Sequence, residues 1–356
     1  MRLVGSIIDS AIQARVFPGA VVEAGSREGR WSGAFGTLTY AADSPRVTLS
    51  TVYDLASLTK VIATATQAMR AIDAGAVSLE RRLTDYLPAW RGDDRAGVRI
   101  VDLLEHASGL TAYLPFFRDH RGRADFETAI CTLPLEYSPR TQSIYSDLGF
   151  ILLGFILEDV GFPLSDLPSM SAIAGDADAW LGFTPPRALG PRCAPTELDL
   201  WRGRLLQGEV HDENCWTLGG VAGHAGMFGT ASAVGAFARA ILAGLLDSST
   251  PGDTVEHLGV RRATLARFVR KSSVPGSSRA LAWDTMLPTS SCGTRLSARA
   301  VGHTGFTGTS LWIDPERDLY VVLLTNRVHP TRDNNRIRSV RRQVHEELAA
   351  EVGSRQ

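Results

Sequence analysis

Strand-like segments stand at both ends of this chain and helical ones fill its middle. That distribution restricts the topology more than any single motif. Residues 3–16 have helical spacing, with Ile7, Ile8, Ala11 and Ile12 on one side. Gly19-Ala-Val-Val-Glu-Ala-Gly25 then reads as a buried strand, residues 26–29 as a turn and 30–37 as a returning strand. Strand texture resumes only near residue 281, in segments 280–286, 298–303, 309–313 and 319–325, and a last helix is expected over 334–351. Between them lie two apolar helices, 57–74 and 145–160, stopped by Gly75 and Gly161, and a helix of small residues, 231–246. The stretch 76–220 reads as helices and loops broken by prolines. The simplest architecture is α+β: an antiparallel sheet built from both chain ends and flanked by the terminal helices, with an all-helical insertion. The expected division is 1–80 plus 230–356 for the sheet domain and 81–229 for the insertion, with the active site at their junction.

Composition narrows the partners. With 356 residues, 44% hydrophobic and 21% charged, the chain can bury a sizeable core. A formal charge of −1 gives no basic excess for nucleic acid. No stretch approaches the ~18 apolar residues of a membrane span. The four cysteines fit no zinc or disulfide spacing, and the N-terminal residues hold no signal-peptide core, so a cytoplasmic location is expected. Lys60 and Lys271 are the only lysines; every other basic residue is arginine.

Lys60 is where arginine would fail chemically. Ser57 and Lys60 are spaced i, i+3 and share a helix face. A serine needs a base to become a nucleophile, and an amine made neutral by burial can serve where a guanidinium cannot. Ser-x-x-Lys also arises by chance in chains of this length. Tyr145-Ser146-Asp147 opens a buried helix. A phenol facing a buried ammonium is expected to have a lowered pKa and act as a base, whereas the plain alternative is that Ser146 or Asp147 caps the helix. His303-Thr304-Gly305-Phe306-Thr307-Gly308-Thr309 lies between strand-like residues. Its small residues allow a ligand to approach backbone N–H groups, although glycine-rich turns are common.

Together and in this order, the three elements resemble the serine β-lactamases and penicillin-recognising enzymes, most nearly the class C β-lactamase-like branch. The stretches FPGAVV (17–22), LLEHASGL (103–110), YSDLGFILLG (145–154), GGVAGHAGMFGTA (219–231) and TNR (325–327) resemble it too, so the likeness covers about residues 15–345. The resemblance implies a serine hydrolase cleaving an amide or ester through an acyl-enzyme on Ser57, without a cofactor or metal. Lys60 would be the hydrogen-bonded partner and Tyr145 the proton carrier. The backbone N–H groups of Ser57 and Phe306 would form the oxyanion hole, and Asp147, His303, Thr304 and Gly305 would line the substrate site.

Two residues depart from the family pattern. Asp147 replaces the usual Asn, and His303 the usual Lys. Both changes are expected to disfavour a substrate carboxylate and β-lactam hydrolysis, and to suit a neutral ester or amide. The segment His211-Asp212-Glu213-Asn214 is similar to one in a subgroup that includes muropeptide amidases, so the implied partner is a muropeptide or small-molecule substrate. With His224, these residues are expected to line the cleft. Read instead as metal ligands, His211, Asp212, Glu213, Cys215 and His224 have no standard spacing. His106 is expected to hold a loop. The alternatives are a small-molecule esterase or weak β-lactamase, a metal-dependent hydrolase, and a silent binding protein on the same fold.

Overall fold

A computed structural model of the chain describes residues 2–247 and 253–353. Its main sheet has six strands in the order Asp284–Thr285, Val301–Thr304, Ser310–Asp314, Leu319–Thr325, Gly19–Gly25 and Arg30–Gly36, antiparallel throughout. The sheet is therefore drawn from both chain ends, as the sequence pattern implies. Gly19–Gly25 and Leu319–Thr325 pair in its centre, with Val22 opposite Leu323. Both are buried along their whole length. Their side chains alternate between two cores, as strand geometry requires. Ala20, Val22, Val321 and Leu323 face the terminal helices Arg2–Gln13 and Ile337–Gly353. Val21, Val322 and Leu324 join the larger core, against the helix Ala231–Leu246. Glu23 is the polar exception: it is buried, and it accepts from Tyr320, Ser32 and Arg239.

The insertion is not all-helical. It contains the helices Gly122–Thr132 and Asp147–Asp159, but also the strand Leu181–Phe183 and the hairpin Leu198–Asp199/Arg204–Leu205. Met227–Gly229 pairs on one side with Leu181–Phe183 and on the other with Tyr53–Asp54, just ahead of Ser57. These strands have two or three residues, too short to show an alternating pattern.

Three other elements differ from the sequence pattern. The expected helix 57–74 begins as a turn at Ala56 and Ser57, is helical from Leu58, widens to a π-helix over Lys60–Thr64 and returns to α-helix at Ala65–Asp73. The Ala65 N–H reaches the carbonyl of Lys60, the widened spacing common at functional sites. Of 280–286 only Asp284–Thr285 is strand, because Ala282 turns with a φ of 71°. Residues 298–300 are held in a turn, with Ala300 N–H on Ser297 O and Ser297 anchored on Asp314, so that strand starts at Val301.

The helix Asp147–Asp159 starts where the Ser146 hydroxyl accepts the Gly149 N–H. It packs against Gly223, where a Cβ would run into the carbonyl of Phe150. The Gly223 carbonyl in turn accepts the Thr64 hydroxyl. One glycine thus sets the spacing between the Tyr145 helix and the Lys60 helix. Gly223→Ala is expected to cost about 1–3 kcal/mol through overpacking, read as a lower denaturation midpoint at unchanged m-value. An unchanged midpoint would contradict this packing.

Candidate active site

The turn that presents Ser57 is built from beneath. Asp54 is buried; one carboxylate oxygen accepts the Ala56 N–H (2.8 Å) and the other the His211 N–H (2.7 Å). Burial raises the Asp54 pKa against the lowering effect of these two bonds. Ala56 is held at a φ of 47°, an uncommon value for alanine. In the turn between Val301–Thr304 and Ser310–Asp314, the Thr307 hydroxyl donates to Asp54 O (2.7 Å) and the Thr309 hydroxyl to Leu55 O (3.0 Å). A Cβ at position 305 would collide with Thr309 and Leu55, so glycine is required for this approach. The segment 303–309 is thereby fastened beside Ser57. Among the described residues neither the Ser57 N–H nor the Phe306 N–H has an intramolecular acceptor.

Three predicted residues converge. The Lys60 ammonium donates to Ser57 Oγ (3.1 Å) and the Tyr145 hydroxyl donates to the same oxygen (2.8 Å). Lys60 also donates to Asp147 Oδ1 (2.7 Å) and to the carbonyl of His224 (2.9 Å). An ammonium has three donors, and here each has an acceptor. The Lys60 side chain is 0% exposed. Burial pulls its pKa down, but the Asp147 carboxylate and Tyr145 outweigh that and hold it above the ordinary lysine value. The neutral amine expected from burial is therefore replaced by a paired cation. Tyr145 differs too: burial raises its pKa, Lys60 opposes that only in part, and it remains a phenol at neutral pH.

His303 lines the pocket with Thr304, Gly305 and Phe306. Its Nδ1 donates to Thr304 O (2.9 Å), and burial, then Arg279 and Lys60, depress its pKa well below the ordinary value, so it is neutral. His106 holds a loop, as expected: its Nδ1 accepts the Ser146 N–H (3.0 Å) and its ring lies 4.7 Å from that of Tyr145.

The 211–224 segment divides its polar groups among different partners. His211 Nε2 meets Glu197 (2.8 Å), Asp212 meets His224 Nε2 (2.9 Å), and Glu213 meets Arg332 (2.7 Å). Cys215 Sγ donates to Ala225 O. Among the described residues no three His, Cys, Asp or Glu side chains converge as metal ligands. His211, Asp212 and Glu213 line the pocket; His224 lies behind it, where its carbonyl receives Lys60. Burial pushes the Asp212 carboxyl up, but His224 and the Cys215 N–H hold it well below the usual range.

The loss of lysine at position 303 does not leave the pocket without cations. Its cavity, about 580 Å³, is also lined by Arg327, Arg338 and Arg341, none with a carboxylate partner among the described residues. Arg341 is buried, donates to the carbonyls of Gly305 and Thr309, and leaves Nε unpartnered. Burial, then Arg327 and Arg338, bring its pKa down to about 9. The expectation that a substrate carboxylate is disfavoured here rested on positions 147 and 303 alone and left these arginines out of account. Sequence reasoning missed these arginines because arginine is the default basic residue of the chain. Of the three, only Arg327 stood in a noted stretch, TNR.

Comparison with known proteins gives the family and the fold. The Beta-lactamase family model matches residues 6–346. A putative D-alanyl-D-alanine carboxypeptidase of Salmonella gallinarum is 30% identical over 331 residues, 82% of this chain and 73% of the relative. Among solved structures, a class C β-lactamase superposes with a TM-score of 0.73 at 18% identity, covering 99% of this chain and 97% of that one. Unliganded simvastatin synthase LovD of Aspergillus terreus gives 0.70 at 19% identity, over 98% of both chains. EstCE1, described as a hydrolase with promiscuous acyltransferase activity, gives 0.71 at 20% identity over 97% of both. Fold and relatives define a serine hydrolase on a β-lactamase/transpeptidase-like scaffold. The chain belongs to the β-lactamase family.

Glu197 couples this wall to pH. Burial pushes its pKa up, but the bonds from His211 and Arg332 dominate and lower it from 4.5 to about 2. A depressed carboxylate contributes stability that is present above its unfolded pKa and lost as pH falls through the folded value. Stability should therefore fall between pH 4.5 and about 2, and Glu197→Gln should flatten that part of the curve. Denaturant titrations across the window check it; an identical slope in the variant would refute the assignment.

Proposed function

We propose that Ser57 is acylated by an amide substrate bearing a carboxylate, and that a muropeptide is the natural class. The observation that carries this reading is the convergence of Lys60 Nζ and Tyr145 OH on Ser57 Oγ. Ser57 Oγ attacks the carbonyl and its proton passes to Tyr145, which delivers its own hydroxyl proton to the leaving nitrogen as the C–N bond breaks. Water then attacks the acyl carbon, Tyr145 relays its proton, and Ser57 is restored. Lys60 stays an ammonium throughout and stabilises the alkoxide. The unengaged N–H groups of Ser57 and Phe306 receive the developing oxyanion.

The three arginines without carboxylate partners favour a substrate carboxylate, and so a peptide terminus over a neutral ester. The carboxypeptidase relatives and the His211–Asn214 segment support a muropeptide. No helix among the described residues is long and apolar enough to cross a membrane. The same proposal places the enzyme in the cytoplasm, where its four buried free cysteines stay reduced.

Intact-mass analysis with a penicillin, an activated ester and a muropeptide should show an acyl adduct on the wild type and none on Ser57→Ala. Lys60→Arg should lower kcat by about 10²–10⁴-fold, because a guanidinium cannot occupy the same three-acceptor slot. Retention of most activity by Ser57→Ala would overturn the mechanism. Arg338→Ala should raise KM for a carboxylate substrate about tenfold, the value of one charge-assisted hydrogen bond, and leave its methyl ester unaffected. Equal effects on both would remove the carboxylate from the reading and favour the small-ester hydrolase.

A further inference from the structure

Large apolar side chains that stand exposed are few among the described residues, and most of them gather beside the pocket. Leu198, Leu200, Trp201 and Leu205 belong to one hairpin, and Trp216 to the helix Glu213–Thr217 that follows the pocket-lining Asp212. Leu200 is 92%, Trp201 42% and Trp216 39% exposed. Tyr113 and Phe306, also exposed, stand on the pocket rim itself. A gathering of this kind marks a binding surface, whereas scattered single residues would not.

The surface is held in shape. Asp199 accepts the N–H groups of Trp201 (2.7 Å) and Arg202 (2.8 Å), fixing the hairpin turn. Arg202 is nearly buried; it is tied to Asp199 and to the carbonyls of Val210 and His211, and its guanidinium lies 5.9 Å and 5.7 Å from the ring centres of Trp201 and Trp216. Phe117 packs edge-on to Trp201 at 4.7 Å, and the two indoles meet at 5.4 Å and 88°. They form a rigid right-angled corner.

That corner is continuous with the catalytic pocket. Asn214 donates to Leu114 O and accepts the Phe117 N–H, joining the indole side to the segment that carries Tyr113. We propose that the Trp201–Trp216 corner binds a sugar ring of the substrate, an N-acylated amino sugar attached to the peptide that enters the pocket. The inference rests on the muropeptide reading above and extends it to the glycan. A pyranose presents a flat C–H face that stacks on one indole while its edge meets the other, and its polar groups reach the flanking ion pair Arg204–Glu209 (2.7 Å). An apolar protein face or a lipid surface would have to desolvate that pair, which a hydroxylated ligand does not.

The test uses a β-1,4-linked N-acetylglucosamine tetramer, which has no scissile peptide and so needs no turnover. In indole N–H NMR spectra it should shift the Trp201 and Trp216 resonances saturably in the millimolar range, in the wild type and in Ser57→Ala. Trp201→Ala and Trp216→Ala should each weaken binding about tenfold. Each should raise KM for a saccharide-bearing peptide while leaving the sugar-free peptide unchanged. Peptide turnover without tetramer binding would overturn the sugar corner and leave the acyl-enzyme reading standing. Tetramer binding without turnover of any substrate would overturn the acyl-enzyme reading alone. Shifts of the same two resonances on self-association, or on phospholipid vesicles and not on the tetramer, would overturn the sugar corner in favour of a dimer or membrane surface.

Discussion

The ion pair between Lys60 and Asp147 is the contact on which the rest of the site depends. A fully buried ammonium is costly unless its charge is matched and its three protons all have acceptors. Asp147, Ser57 and the His224 carbonyl meet that requirement, each from a different part of the chain. Asp147 comes from the helix that Tyr145 precedes. His224 comes from the glycine-rich loop, whose Gly223 sets the distance to that helix. Satisfying one lysine therefore brings the nucleophile, the phenol and the pocket wall to a common point.

A carboxylate at position 147 changes the chemistry available at Ser57. An amide there would accept a bond from Lys60 but bring no negative charge to balance it. With the carboxylate, Lys60 remains a cation, and Tyr145 is left as the group that can carry the serine proton. The arginines on the opposite wall follow a different logic. Arg327 and Arg341 are held by backbone carbonyls and Arg338 is exposed, and among the described residues none of the three has an acid partner, so their charge remains available to a ligand. It is on this contrast, a balanced ion pair at the nucleophile and cations without acids elsewhere in the lining, that the proposed carboxylate-bearing substrate rests.

Much of this was legible in the sequence, for reasons that differ by element. Gly19–Gly25 and Leu319–Thr325 are continuous apolar runs because both faces of the central strands are buried, and both could be bounded from the residues alone. Ser57, Lys60 and Tyr145 stand out locally as a lysine among arginines and a polar triplet opening an apolar helix, but it is the resemblance to the family that picks them out as a set. The protonation states could not be read, since they depend on burial and on Asp147, 87 positions from Lys60, together with the neighbouring Tyr145. The π-helical widening at Lys60–Thr64 has no periodic signature over five residues. The strands of the insertion are set by pairing across the chain, as with Met227–Gly229 between Tyr53–Asp54 and Leu181–Phe183, and not by local propensity.

The presence of only two lysines makes the central interaction directly measurable. Selective ¹⁵N labelling of lysine gives two Nζ resonances, with Lys271 as the internal reference. The account predicts that Lys60 keeps an ammonium shift up to and beyond its ordinary pKa of 10.5. In Asp147→Asn, the Lys60 midpoint should move downward. A wild-type Lys60 that loses its proton near neutral pH, or a midpoint that does not respond to Asp147→Asn, would contradict it.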